Sequence, residues 1–113
     1  MNELRVGVIG LGFIGELHAR IIYELPNAVL VAVSDVRVDV TKKVAEQFGC
    51  CGFMNYKEMI LAGGLDAVSI TLPDELHEEA AVFAIEHGLT VMLEKPAAKT
   101  TDSVKRIYEA ADN

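Results

Sequence analysis

A doubly wound α/β fold, a parallel sheet with helices on both faces, is predicted by three observations. Strand-like and helix-like segments alternate along the 113 residues. The strand-like segments are short, nearly continuous apolar runs, as expected for strands buried on both faces. The glycine cluster Gly10-Leu11-Gly12-Phe13-Ile14-Gly15 lies between the first such run and the first helix-like stretch.

The first strand is read from the apolar run Leu4 to Ile9, with Val6, Val8 and Ile9 as its buried residues. Gly10 lets the chain turn tightly off the strand end, and Gly12, which lacks a Cβ, lets an anion approach the backbone. Gly15 lets the following helix pack closely on the sheet. That helix is predicted from about Gly12 to Glu24, with Ile14, Leu17, Ile21 and Leu25 recurring at helical spacing as its apolar stripe. The second strand is Val29 to Val33, and Asp35 stands just past it, 20 residues after Gly15.

The second helix is predicted over Val40 to Phe48, with Asp39 as N-cap, Val40, Val44 and Phe48 buried, and Gly49 as the stop. Cys51 to Phe53 is a short third strand. Asn55-Tyr56-Lys57-Glu58 has the form of a capping box opening a short helix, which Gly63-Gly64 ends. Ala67 to Leu72 is the fourth strand. Pro73-Asp74 leads into a helix over Glu75 to Glu86, capped by Asp74, with Leu76, Ala80, Phe83 and Ala84 on its apolar face and Gly88 after it. Thr90 to Leu93 is the fifth strand. A last helix, capped by Thr100 or Thr101, carries Val104, Ile107, Tyr108 and Ala111. Right-handed crossovers give the strand order 3-2-1-4-5 and place a ligand crevice between strands 1 and 4, beyond their carboxyl ends.

Composition narrows the classes of partner. The chain is 51% hydrophobic and is read as one globular domain, residues 1–113. Its formal net charge of −7 argues against nucleic acid or an anionic membrane as a partner. Cys50 and Cys51 are adjacent, a poor arrangement for a disulfide, and His18, His77 and His87 are scattered, so neither a disulfide framework nor a metal site is expected. The apolar stretch Val6 to Ile14 is broken by glycines and is too short to span a bilayer, and it has no signal-peptide cleavage pattern, so a cytoplasmic protein is expected.

The glycine cluster at the start of a helix is suited to a diphosphate. The first N–H groups of a helix have no partner within it, and the macrodipole adds about half a positive charge there. Asp35 is placed to accept hydrogen bonds from two ribose hydroxyls and to repel a 2′-phosphate, which favours NAD over NADP; Arg37 is a nearby cation that leaves NADP as the lesser reading. A plain strand–turn–helix corner is the alternative for the glycines, and a turn or capping residue the alternative for Asp35.

A second cluster, Glu94-Lys95-Pro96, follows the fifth strand. Pro96 biases Lys95 to an extended conformation, where its ammonium would reach a substrate oxygen near the nicotinamide and Glu94 would pair with it or shape the pocket. A solvated lysine and glutamate at a strand end is the alternative. The glycine loop, Thr71-Leu72-Pro73-Asp74 and Glu94-Lys95-Pro96 converge on one rim of the predicted sheet.

Together with Val33-Ser34-Asp35, Asp66 to Asp74 and Leu76-His77, these segments resemble the Gfo/Idh/MocA oxidoreductase family over nearly the whole chain. The resemblance implies an NAD(P)-dependent enzyme that oxidises or reduces a hydroxyl or carbonyl of a sugar, cyclitol or related small molecule. It implies that Gly10, Gly12, Phe13, Ile14 and Gly15 cradle the pyrophosphate and Asp35 holds the adenosine ribose. It further implies that Thr71, Pro73 and His77 line the cofactor groove, that Glu94 and Lys95 flank the nicotinamide, and that Lys95 is catalytic. His77 is alternatively a surface residue in a helix's first turn. Asp74 stands where the family pattern more often has Asn.

Family members continue into a sixth strand and a second α/β domain that supplies most of the substrate pocket. This sequence stops at Asn113, so those parts and the small-molecule substrate contacts they bring are expected outside it, whether the chain is a fragment or a natural short form. An unpaired outer edge on the fifth strand would favour a homo-oligomer. Two other functions fit the glycine loop: a non-catalytic NAD-binding sensor or scaffold, and an S-adenosylmethionine-dependent methyltransferase-like domain, which gives Glu94-Lys95-Pro96 no role.

Overall fold

The computed structural model describes residues 3–93. Five strands, β1 (Leu4–Ile9), β2 (Ala28–Ser34), β3 (Cys51–Phe53), β4 (Ala67–Ile70) and β5 (Thr90–Leu93), form one sheet in the order β3-β2-β1-β4-β5. Every pairing is parallel. The helices are α1 (Phe13–Glu24), α2 (Val38–Phe48), α3 (Tyr56–Leu61) and α4 (Asp74–Glu86). The strand order is the one predicted. Glu94-Lys95-Pro96 and the expected last helix lie outside the described residues.

Alternation along each strand divides the core into two layers. Val6, Val8 and Val33 face α1 and α2, where Ala19, Ile22, Val44 and Phe48 meet them. Ile9, Val68, Ile70 and Val91 face the other way, onto Met59 and Ile60 of α3 and Ala80 and Ala84 of α4. Both faces of the sheet are therefore apolar, which explains the unbroken apolar strands.

The apolar stripe expected on α1 is corrected. Gly15, Ala19 and Ile22 are the buried residues of this helix, while Ile14, Leu17, Ile21 and Leu25 are 39%, 42%, 46% and 48% exposed. The larger residues dominate the periodicity, but the helix approaches the sheet too closely for them: a Cβ on Gly15 would overlap the carbonyl oxygen of Gly10. Gly15 and Ala19, both small, face the sheet with Ile22, and the four residues of the expected stripe are turned to one flank.

Three boundaries also differ from expectation. Asp39 lies in the first turn of α2, and Arg37 occupies the N-cap position without a side-chain cap bond. Asp74 is the first residue of α4, with Pro73 at the N-cap position, where its fixed φ leads into the helix. β4 ends at Ile70, not Leu72. Thr71 makes one further ladder bond, its N–H donating to Ile9 O at 2.9 Å, and then leaves the strand to hold the β1 corner with its side chain. The Asn55 cap is as expected, its Oδ1 accepting from the Lys57 N–H at 2.8 Å.

Candidate functional site

The crevice opens at the carboxyl ends of β1 and β4, where the strand order reverses. Three hydrogen bonds shape its floor. The Gly10 N–H donates to Ser34 O at 2.9 Å, and the Thr71 hydroxyl donates to Gly10 O at 2.8 Å and reaches Ile9 O at 3.3 Å. Gly10 has φ of 93°, a backbone angle that disfavours any side chain, and a Cβ there would stand about as close as 3.0 Å to the Thr71 hydroxyl. This turns the chain sharply from β1 into α1.

Gly12 is the N-cap residue of α1 and supplies no side-chain cap, so the first N–H groups of the helix remain available. A Cβ built on Gly12 would meet no protein atom within 4 Å. The space it would enter is the space a diphosphate needs beside those N–H groups. The cradle therefore fits the pyrophosphate of a dinucleotide on its own geometry. Phe13 is 84% exposed and Ile14 is on the open flank, so both contribute backbone to the cradle and not a packed side chain.

Across the rim, Asp35 is held from several sides. Its N–H donates to Phe53 O at 3.1 Å and its carbonyl accepts from the Thr41 hydroxyl at 2.7 Å. Its Oδ2 accepts from the Leu11 N–H at 2.8 Å, tying the acid to the glycine loop. Arg37 takes the rest: its N–H and Nε donate to Oδ1, both at 2.9 Å, and its Nη2 donates to Oδ2 at 3.1 Å. The Arg37 hydrogen bonds hold the Asp35 carboxyl down at about 2, with burial opposing them and the Leu11 N–H helping. Asp35 in turn raises the guanidinium above its ordinary value.

Between this acid and α4 lies a cavity of about 530 Å³, lined by Asp35, Arg37, Met54, Tyr56, Leu72, Pro73 and Leu76 among others. It has the size of an ordinary small-ligand site and lies where the adenosine end of a dinucleotide would follow from the cradle. Most of its wall is apolar. Tyr56 donates its hydroxyl to Glu79 at 3.3 Å; burial, followed by the Glu79 charge, raises the Tyr56 phenol above its ordinary value.

The structure therefore brings together Gly10, Gly12, Gly15, Asp35, Thr71 and Pro73. His77 is placed differently. It is 4% exposed, and its Nε2 donates to Ile70 O at 3.1 Å beneath the crevice floor. It is not among the residues lining the cavity. Lys95 and Glu94 lie outside the described residues. Sequence reasoning missed the Leu11 N–H bond to Asp35, the placement of Met54, Tyr56 and Leu76 around the cavity, and the degree to which Arg37 saturates Asp35. The Asp-x-Arg spacing was the available signal for that last contact. Among the described residues no group of His, Cys, Asp and Glu could hold a metal ion, and no helix is long and apolar enough to cross a membrane.

Comparison with known proteins agrees with this geometry. The chain is 40% identical over 110 residues to an inositol 2-dehydrogenase/D-chiro-inositol 3-dehydrogenase from Shouchella clausii, covering 95% of this chain and 32% of that protein. The structure of a myo-inositol 2-dehydrogenase from Lactobacillus plantarum superposes with a TM-score of 0.84 at 30% identity, covering 98% of this chain and 33% of that one. The WlbA dehydrogenase from Bordetella pertussis, in complex with NADH and UDP-GlcNAcA, superposes with a TM-score of 0.86 at 28% identity, covering 98% and 35%. The chain thus spans about a third of the length of the relatives it matches. The model of the oxidoreductase family with an NAD-binding Rossmann fold, Gfo/Idh/MocA, matches residues 4–113. With the glycine-rich corner, Asp35 at the end of β2 and the 3-2-1-4-5 sheet in place, the chain belongs to the Gfo/Idh/MocA oxidoreductase family, as its NAD-binding Rossmann domain.

Proposed function

We propose that this chain is the cofactor-binding part of a longer NAD-dependent dehydrogenase that acts on a ring hydroxyl, or the matching carbonyl, of a cyclitol or sugar. The observation that carries this reading is the 40% identity to an inositol dehydrogenase over 110 residues, a span that contains the cradle and Asp35. Bound NAD supplies a hydride acceptor. The chain's own residues bind and orient it: the N–H groups at the start of α1 take the pyrophosphate, and Asp35 takes the adenosine ribose. Thr71 holds the Gly10 corner in shape, and Pro73 with Leu72 walls the crevice. His77 supports the floor through Ile70.

Lys95 is proposed to hydrogen-bond the reacting oxygen of the substrate, and Glu94 to flank the nicotinamide. A cation at that oxygen favours the alkoxide-like charge that develops as hydride departs. Residues outside this chain are proposed to complete the substrate pocket. The protein is further proposed to work in the cytoplasm, where Cys50 and Cys51 stay free, and as a homo-oligomer.

The test is a steady-state assay of the protein with its second domain, using NAD with myo-inositol and related polyols. NADH formation that Lys95→Ala cuts by about a hundredfold or more, with NAD affinity little changed, is the expected outcome. NAD binding without turnover on any polyol or sugar would instead support a sensor, and turnover equal in Lys95→Ala and parent would remove Lys95 from the chemistry.

A further inference from the structure

Among the described residues, half of one sheet face has no helix laid over it. Val68, Ile70 and Val91 of β4 and β5 meet Ala80 and Ala84 of α4 on one side. On the other side α1 and α2 cover β1, β2 and β3, and the same two strands present Ser69, Thr90 and Met92. Met92 is only partly buried against the α1–α2 layer, and Thr90 is exposed.

The helix α1 walls this bare half. Its far side meets α2, where the Tyr23 and Phe48 ring centroids are 5.1 Å apart and Arg20 lies over the Phe48 ring. Its near side meets β4 through a 2.7 Å hydrogen bond between His18 Nδ1 and Ser69 Oγ. Ile14, Ile21 and Leu25 stand on the His18 side, four residues before it and three and seven after, with Leu17 beside them. All four are exposed. The result is a trough with a sheet floor and an aliphatic wall. Strands lie about 4.8 Å apart and packed helices about 8–10 Å apart, so β4 and β5 together are one helix wide.

The floor selects the kind of segment that fits. β4 is paired on both edges, to β1 and β5, so a segment lying on it must satisfy its own backbone, as a helix does. Ser69 is buried with its hydroxyl already bonded to His18, so an apolar helix face leaves that hydroxyl partnered. A right-handed connection from β5 to a further parallel strand runs on the α4 face, as β4–α4–β5 does, and leaves the trough open. A second copy offers only an identical trough, and two concave surfaces do not fill each other.

We propose that the trough seats an amphipathic helix from the part of the longer protein outside this chain, with its apolar stripe turned to Leu17, Ile21 and Met92. This rests on the reading of the chain as part of a longer dehydrogenase; it spans 32% of the inositol dehydrogenase to which it is 40% identical. Ile14 borders both the trough and the glycine cradle. The seated helix therefore ties the substrate-binding part of the enzyme to the corner that holds the diphosphate.

Hydroxyl-radical footprinting of the longer protein, read by mass spectrometry, tests it. Leu61, which is 65% exposed on α3 across the sheet, is the reference. Leu17 and Ile21 are expected to oxidise about tenfold or more slowly than Leu61, at every protein concentration. Ile21→Asp in the longer protein should lower the melting temperature by several degrees and cut turnover about tenfold or more, with NADH affinity within about twofold of the parent. If that variant fails to fold, the footprint of the parent decides. Oxidation of Leu17 and Ile21 at the Leu61 rate overturns the proposal. So does protection that disappears on dilution, which assigns the surface to a second copy, and so does a folded Ile21→Asp variant with the parent's turnover and melting temperature. Absence of turnover on any polyol or sugar would remove the substrate reading, and the footprint would still decide the docking.

Discussion

At the β1–α1 corner the crevice is held by backbone packed against backbone, whereas at the end of β2 it is held by side chains that water can reach. In the first, Gly15 lies against the Gly10 carbonyl and Thr71 braces that same carbonyl. In the second, Asp35 is gripped by an arginine that is more than half exposed. Backbone contacts of the first kind cannot adjust without moving a strand or a helix. The side-chain contacts of the second kind can be exchanged for a ligand at modest cost, since an exposed ion pair is worth roughly 0.2–1 kcal/mol. The diphosphate cradle should therefore be the same with and without cofactor, and discrimination between cofactors should reside in the exchangeable corner.

Substitutions can break this contrast, and the largest effect is expected at Gly15. Gly15→Val drives a side chain into the Gly10 carbonyl and should cost about 3 kcal/mol or more, seen as a loss of cooperative thermal unfolding. A variant with the parent's melting temperature would show that the corner is not close-packed. Gly12→Val is the informative partner to it. Nothing in the protein meets that Cβ, so the fold should lose only about 1 kcal/mol, while NAD binding falls by about a hundredfold or more as the side chain fills the diphosphate space. Retained NAD affinity in Gly12→Val would move the pyrophosphate elsewhere.

Thr71→Val keeps the shape and removes the brace. It should cost about 1–2 kcal/mol by chemical denaturation, because the Gly10 carbonyl loses a partner, and should weaken NAD binding several-fold. No change in either would make the hydroxyl bond incidental. The smallest effect concerns acid stability. The folded Asp35 carboxyl is lowered from 3.8 to about 2, so its contribution is fully present above roughly pH 4 and is lost as pH falls through about 2. Arg37→Ala removes the largest cause of that depression. The stability gap between parent and variant should be at most about 1 kcal/mol near neutrality and should close between pH 4 and pH 2. A gap that stays constant over that range would mean the pair contributes nothing through Asp35 ionisation.

The sheet order, the helix-starting glycines and the distance from Gly15 to Asp35 were legible in the sequence because each rests on a local rule. Glycine at a left-handed turn, apolar runs in strands buried on both faces and an acid at a strand end all leave a mark on neighbouring residues. The burial of α1 was not legible. Ile14, Leu17, Ile21 and Leu25 give a clear helical period, yet the sheet accepts Gly15, Ala19 and Ile22. Which side of a helix meets the sheet depends on how closely the two approach, a distance that hydropathy does not encode. The burial of His77, expected to line the cofactor groove with a surface position as the alternative, was not legible either. Its burial follows from the nearby Ile70 carbonyl, which accepts its Nε2 proton and offsets the desolvation of the ring. Met54 and Tyr56, between β3 and α3, and Leu76 of α4 reach the cavity from two separate segments, and only tertiary structure brings these together.

The outward-turned side chains of α1 have a colloidal consequence. Four large aliphatic groups lie along one flank of a chain whose net charge is −7. Mutual repulsion between copies then opposes the adhesion of those flanks, and dissolved ions shorten its reach, to about 10 Å at 0.1 M and about 3 Å at 1 M. Added salt should accordingly make concentrated samples of this chain scatter more light, and leucine-to-serine or isoleucine-to-serine changes at positions 17 and 21 should keep them clear.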